Sequence, residues 1–144
     1  MGAGFVAKVV GVTDGDTITV LHDGAPEKIR LNGIDCPEKS QAFGTKAKTV
    51  TSFYVFGKSV KVEPTGKDRY GRTLAEVFLP DGRSLNHQLL KDGLAWWFRK
   101  YSSDRTLEAL ADEARKMKRG LWENPDPVAP WDYRHARSAA RKLE

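Results

Sequence analysis

The order of elements in this 144-residue chain predicts an α+β fold, five short strands closed into an OB-type barrel with three helices. Three observations carry that expectation. Three strand-like runs separated by Asp/Gly turns open the chain. A helical period interrupts them once, and two more strand patterns then lead into two more helical ones. A helix after the third of five strands suits a small closed barrel better than a doubly wound sheet.

Each element has a local reason. Phe5–Val12 is rich in β-branched residues, and Thr17–Leu21 returns from the turn Asp14-Gly15-Asp16. His22-Asp23-Gly24-Ala25-Pro26 is a second turn. In Ile29–Ile34 apolar and polar residues alternate, which places Arg30 and Asn32 on the face opposite Ile29 and Leu31. The period then changes. Phe43, Ala47, Val50 and Phe53 or Tyr54 recur at three and four, predicting an amphipathic helix over 41–56 that ends at Gly57. Strands at Ser59–Glu63 and Thr73–Leu79 follow, the second closed by Pro80-Asp81-Gly82. Leu85, Leu89 and Leu90 predict a short helix ended by Gly93. Leu107, Leu110, Ala114 and Met117 predict a longer one, with Asp104 as N-cap and Gly120 as its stop.

These elements make one domain over residues 1–122. Residues 123–144 form a proline-rich extension, extended at first and compatible with a helical turn or two over 133–142. Leu143-Glu144 reads as a tag scar. Met1-Gly2 leads almost directly into the first strand without a leader pattern, which is what a trimmed chain would show.

Composition narrows the function. Hydrophobic residues make up 40% and charged residues 30%, a globular balance. No run reaches the roughly 18 apolar residues that a membrane-spanning helix needs. The single cysteine, Cys36, excludes an internal disulfide and any multi-cysteine zinc site. The net charge is +5. From Glu123 onward Arg134, Arg137, Arg141 and Lys142 balance Glu123, Asp126, Asp132 and Glu144, so the excess belongs to the folded body. A basic body favours polyanionic partners, nucleic acid among them.

Two acidic turns carry candidate chemistry. Asp14-Gly15-Asp16-Thr17 is by itself mostly a turn sequence; its sharper reading gives an Asp16 oxygen to a hard cation. Asp35-Cys36-Pro37-Glu38 sets two carboxylates three residues apart on a proline-stiffened turn, where both can reach one ion. Cys36 lies in no Cys–His motif and reads as a small packed residue. Arg30 leads into the second turn, and Asp68-Arg69-Tyr70-Gly71-Arg72 supplies another arginine. These guanidiniums either pair with the carboxylates or fork onto a phosphate, which planar donors suit better than lysine. Trp96-Trp97-Phe98 reads as packing beneath the barrel in preference to base stacking.

The set and its spacing resemble the thermonuclease family, the staphylococcal-nuclease-like calcium-dependent nucleases. The likeness runs over about 5–122 and includes Asn86 and Gly93-Leu94-Ala95. It implies a Ca²⁺ site in which Asp16 and Asp35 give carboxylate oxygens and Cys36 its backbone carbonyl. Glu38 matches a glutamate that binds or activates the attacking water, directly or through water at the metal. Arg30 and Arg72 match the arginines that grip the phosphate, and Asp14 an acid just behind the ligands. Arg69, Tyr70 and, by register, Tyr101 match nucleotide-contacting positions. The implied activity is hydrolysis of DNA and RNA phosphodiesters with little sequence preference, leaving 3′-phosphate ends. The implied protein is a monomer, preferring single strands and secreted or extracytoplasmic.

Two features depart from the family pattern. Only Lys39 and Ser40 separate Glu38 from the expected helix, and Arg99 stands where a second tyrosine is expected. The competing reading is a non-catalytic OB module that binds single strands or a protein. Such a module would have lost some of Asp16, Arg30, Asp35, Glu38 and Arg72, and all five are present.

Overall fold

A computed structural model describes residues 4–143, so Met1-Gly2 and Glu144 lie outside the described span. Five strands close the barrel: β1 (Phe5–Asp14), β2 (Thr17–His22), β3 (Ala25–Leu31), β5 (Ser59–Lys67) and β6 (Thr73–Phe78). Their order around it is β1-β2-β3-β6-β5. All neighbours are antiparallel except β3 and β6, whose parallel pairing of Ile29 with Thr73 and Leu31 with Ala75 closes the cylinder. Closure leaves no sheet edge to protect. Alternate residues face inward, and Val9, Ile18, Val20, Ile29, Leu31, Val62, Ala75 and Val77 are fully buried.

The expected strand over 29–34 is broken. Its barrel part ends at Leu31, and Gly33 at φ 81° turns the chain before β4 (Ile34–Asp35). β4 leaves the barrel and pairs with β7 (Trp96–Trp97), Ile34 opposite Trp97 and Asp35 opposite Trp96. A left-handed backbone costs glycine little, so Gly33 permits the bend that carries Asp35 off the barrel.

Helix α1 (Gly44–Val55) starts three residues later than its hydrophobic period suggests. Phe43 sits at φ 68°, and Gln41 and Gly44 are tied into successive turns, Gln41 N–H to Glu38 O and Gly44 N–H to Gln41 O. Helices α2 (Leu85–Lys91) and α3 (Arg105–Lys116) pack on each other. Ser84 caps α2 and Asp104 caps α3, each side chain accepting a first-turn N–H.

A fourth helix replaces the expected count of three. α4 runs over Pro130–Lys142. Pro130 fixes the φ of its first turn, Asp132 sits at the positive end of its dipole, and Arg141 and Lys142 at the negative end. Most of its residues face solvent and few are large and apolar, which is why the sequence marks out so little of it. No helix among the described residues is long and apolar enough to cross a membrane.

Candidate active site

The site is built where the β1–β2 turn meets the chain leaving β4. Thr51 of α1 donates 2.6 Å to the Gly15 carbonyl, fixing the first turn from below. A Cβ at Gly15 would lie 2.8 Å from Ala47 Cβ and 3.0 Å from Cys36 Sγ, so only glycine lets the turn lie this close to α1. Asp16 points across the gap. Its Oδ2 accepts the backbone N–H of Cys36 at 2.7 Å.

Arg30 draws the two acidic turns together. Its Nη1 donates to the carbonyls of Leu31 and Ile34 at 2.7 and 2.9 Å, spanning the bend at Gly33. Its Nη2 lies 3.2 Å from Asp35 Oδ1 and 3.4 Å from Asp16 Oδ2. Asp16 and Asp35 thus share one guanidinium nitrogen although 19 residues separate them in the chain, and the Asp35 side chain is only 1% exposed. Burial pushes the Asp35 carboxyl up; Asp16 adds to the rise, while Arg134 and Arg30 oppose it. Asp14, half-buried beside them, is also raised, by burial first and by the charges of Asp16 and Glu38 next.

Glu38 is held by its own backbone. Its N–H donates to Gln41 Oε1 at 3.1 Å, and Gly44 brings the start of α1 directly against its carbonyl. Its side chain faces the same basin as Asp35, because one guanidinium touches both. That guanidinium belongs to Arg134 of α4. Nη2 lies 2.6 Å from Asp35 Oδ2, and Nη1 lies 3.2 Å from Asp35 Oδ1 and 3.3 Å from Glu38 Oε1. Nothing in the sequence marks Arg134, one of three arginines in the last helix, 99 residues from Asp35 and outside the recognisable motifs.

The other expected residues form a second group. Arg72 is gripped through Nε by Asp68 Oδ2 at 2.6 Å, and its backbone N–H donates to Asp68 Oδ1 at 3.0 Å. Its two terminal nitrogens make no hydrogen bond among the described residues. Arg69 donates to the Tyr70 hydroxyl, and Arg69 and Arg72 both lie over the exposed Tyr70 ring. No hydrogen bond or ion pair joins this group to Asp16, Asp35 or Glu38 among the described residues. Tyr101 is also exposed and meets Phe98 edge to face. Cys36 is buried, and burial holds its thiol well above the ordinary range, so it is no nucleophile.

The donor chemistry fits a hard cation. The Asp16, Asp35 and Glu38 side chains offer oxygen alone, and a guanidinium already sits on two of them as a positive charge would. Among the described residues no three acidic, histidine or cysteine side chains converge closely enough to hold an ion unaided. Backbone carbonyls and water would have to complete the shell, as is common for calcium.

Residues 28–124 match the family described as "Staphylococcal nuclease homologue". The chain belongs to that family. It is 44% identical over 128 residues to an "Uncharacterized endonuclease" of Escherichia coli, covering 89% of this chain and 84% of that protein. It is 37% identical over 144 residues to a "Micrococcal nuclease" of Shigella flexneri, covering 93% and 83%. A "Protein ParB" of Escherichia coli is 40% identical over 137 residues, covering 88% and 77%. The family match takes in Arg30, Asp35, Glu38 and Arg72 and stops short of α4.

Proposed function

We propose that this protein is a Ca²⁺-dependent nuclease that hydrolyses phosphodiester bonds of DNA and RNA with little sequence preference and leaves 3′-phosphate ends. The observation that carries the reading is the shared Arg30 nitrogen between Asp16 and Asp35, with Glu38 beside them. The names of the relatives, endonuclease and micrococcal nuclease, support it.

Asp16 and Asp35, with the Cys36 carbonyl, would hold the ion. When bound, a divalent cation neutralises charge on a non-bridging phosphate oxygen and acidifies a nearby water. The protein's own residues do the rest. Glu38 faces the same basin as Asp35 and works as a positioned acceptor for the attacking water. Water oxygen bonds to phosphorus as its proton passes toward Glu38, the P–O5′ bond breaks, and the 5′-oxygen leaves and takes up a proton from solvent, so that one water is added across the bond. Asp68 takes Nε of Arg72 and leaves its two terminal nitrogens as a preset fork for the phosphate. Arg30 reaches the phosphate by giving up its long Nη2 contacts, while Nη1 stays anchored on the Leu31 and Ile34 carbonyls. Arg69, Tyr70 and Tyr101 offer cationic and aromatic surface to the nucleotide. Single strands, whose bases are free to stack, suit those exposed rings best.

The test incubates single-stranded and duplex DNA, and RNA, with the protein in calcium, in magnesium and in chelator. Cleavage in calcium, its loss in chelator, and 3′ ends that a polymerase extends only after phosphatase treatment are expected. Cleavage that survives the chelator overturns the metal assignment. Tight binding to single strands without cleavage in any metal makes the protein a non-catalytic module.

A further inference from the structure

The chain beyond the family match folds back over the site. Trp131 stacks on Phe98, ring centroids 5.4 Å apart and planes within 3°, and meets Trp96 edge to face at 5.5 Å. Tyr133 and Ser40 hydroxyls share a 2.7 Å hydrogen bond, and Gln41 Nε2 donates to Val128 O at 2.6 Å. These contacts surround the Asp35–Glu38 turn and seat α4 beside it. Arg134 then reaches both oxygens of Asp35 and one of Glu38.

Two facts set what Arg134 does there. Both of its terminal nitrogens are spent on carboxylates, so the fork that would grip a phosphate is closed. Both Asp35 oxygens are taken, Oδ1 by Arg30 and Arg134, Oδ2 by Arg134 at 2.6 Å. A hard cation needs those same oxygens. Because α4 is tethered and independently anchored, its guanidinium competes as an intramolecular ligand at high effective concentration.

We infer that Arg134 is a built-in cation that occupies the metal-binding carboxylates of the resting protein, so that a divalent ion and α4 compete for Asp35. The inference rests on the calcium reading above. Metal binding then has two parts: Arg134 swings off Asp35, and the ion takes its place. Trp131 keeps α4 attached meanwhile, since its stacking partners lie outside the contested oxygens. The apparent affinity for the ion is lowered by the fraction of molecules in which Arg134 is seated. The displaced guanidinium regains its fork.

The experiment is calcium titration by calorimetry on the full chain, comparing the parent with Arg134→Gln, Arg134→Lys and, as a surface control on the same helix, the exposed Arg141→Ala. Removing a seated competitor tightens binding. Arg134→Gln is expected to lower the calcium Kd roughly tenfold or more. Arg134→Lys should fall between, since a lysine keeps the tethered charge and loses the two-pronged grip. Arg141→Ala should match the parent. Circular dichroism melts establish that each variant is folded, and if Arg134→Gln is not, the Arg134→Lys value against the parent decides. Unchanged or weaker calcium binding in both folded Arg134 variants overturns the inference and leaves the calcium reading standing. Weaker binding of a nucleotide 3′,5′-bisphosphate with unchanged calcium affinity overturns it in favour of a phosphate ligand. Absence of calcium binding in the parent and every variant overturns the calcium reading and the inference together.

Discussion

The backbone N–H of Cys36 donates to Asp16 Oδ2 at 2.7 Å, tying the first acidic turn to the second across 20 residues. Any ion held by Asp16 and Asp35 depends on this link, because it fixes how Asp16 faces its partner. The same carboxylate therefore has a structural and a charge role, and the two separate by substitution. Asp16→Ala strands a buried donor and should cost about 1–3 kcal/mol. Asp16→Asn keeps an oxygen for the Cys36 N–H and should keep most of that stability while losing calcium binding. Denaturant melts and calcium titration of the pair check both halves.

The two arginines assigned to phosphate should behave differently when removed. Arg30 is nearly buried and stands between two buried carboxylates, and breaking such a group leaves uncompensated charge. Arg30→Ala should lose about 3–5 kcal/mol in the absence of calcium, part of it restored by the ion. Arg72 pairs with Asp68 nearer the surface, so Arg72→Ala should lose only about 0–1 kcal/mol. Its turnover should still fall by about a hundred- to a thousand-fold. Melts with and without calcium, run beside single-turnover cleavage, separate the two.

Gly44 holds the start of α1 against Glu38. A Cβ there would overlap the Glu38 carbonyl oxygen, a backbone atom that cannot step aside. Helix propensity favours alanine by up to about 1 kcal/mol, but the clash outweighs it. Gly44→Ala should cost about 1–3 kcal/mol and lower turnover more than nucleotide binding, since Glu38 moves and Arg72 does not. Gly66→Ala, with open space around its Cβ, should leave turnover unchanged. Melts, cleavage rates and inhibitor titration on the two variants test the contrast.

Glu27 gives the barrel an acid-sensitive brace. Its carboxylate accepts from His22 Nδ1 at 2.8 Å and from Thr73 Oγ1 at 2.7 Å, linking β2, β3 and β6. Burial pushes this carboxyl up, but the hydrogen bonds from His22 and Thr73 outweigh it and the net shift is downward. A carboxyl with a lower pKa folded than unfolded adds stability above its unfolded value, near 4.3. That stability drains away as pH falls through the folded value. Glu27→Gln should be less stable than the parent by about 1 kcal/mol at neutral pH. The gap should close as the pH is taken below about 4. Urea melts at pH 7 and pH 3 measure it.

What was legible in the sequence is what local chemistry controls. Alternation of Ile29, Arg30 and Leu31 put the arginine on one face and the core on the other. Asp14-Gly15-Asp16 and Asp35-Cys36-Pro37-Glu38 announced two acidic turns by composition, and Asp104 and Gly93 announced helix ends. Each depends on a few neighbouring residues and a backbone preference, so each survives being read along the chain. The break at Gly33 left only a slip of phase, Ile34 falling on the face of Arg30 and Asn32; pairing of Ile34 and Asp35 with Trp97 and Trp96 decides where the chain goes. Nor did the short connection after Glu38 reveal that Gln41 and Phe43 turn before α1 begins. Arg134 is the extreme case. Its helix carries few large apolar residues, and its partners lie 96 and 99 residues away. The packing of Trp131 against Phe98 and Trp96, with the Tyr133–Ser40 and Gln41–Val128 hydrogen bonds, carries it to Asp35, and a long-range contact between two surfaces leaves no mark on the sequence of either one.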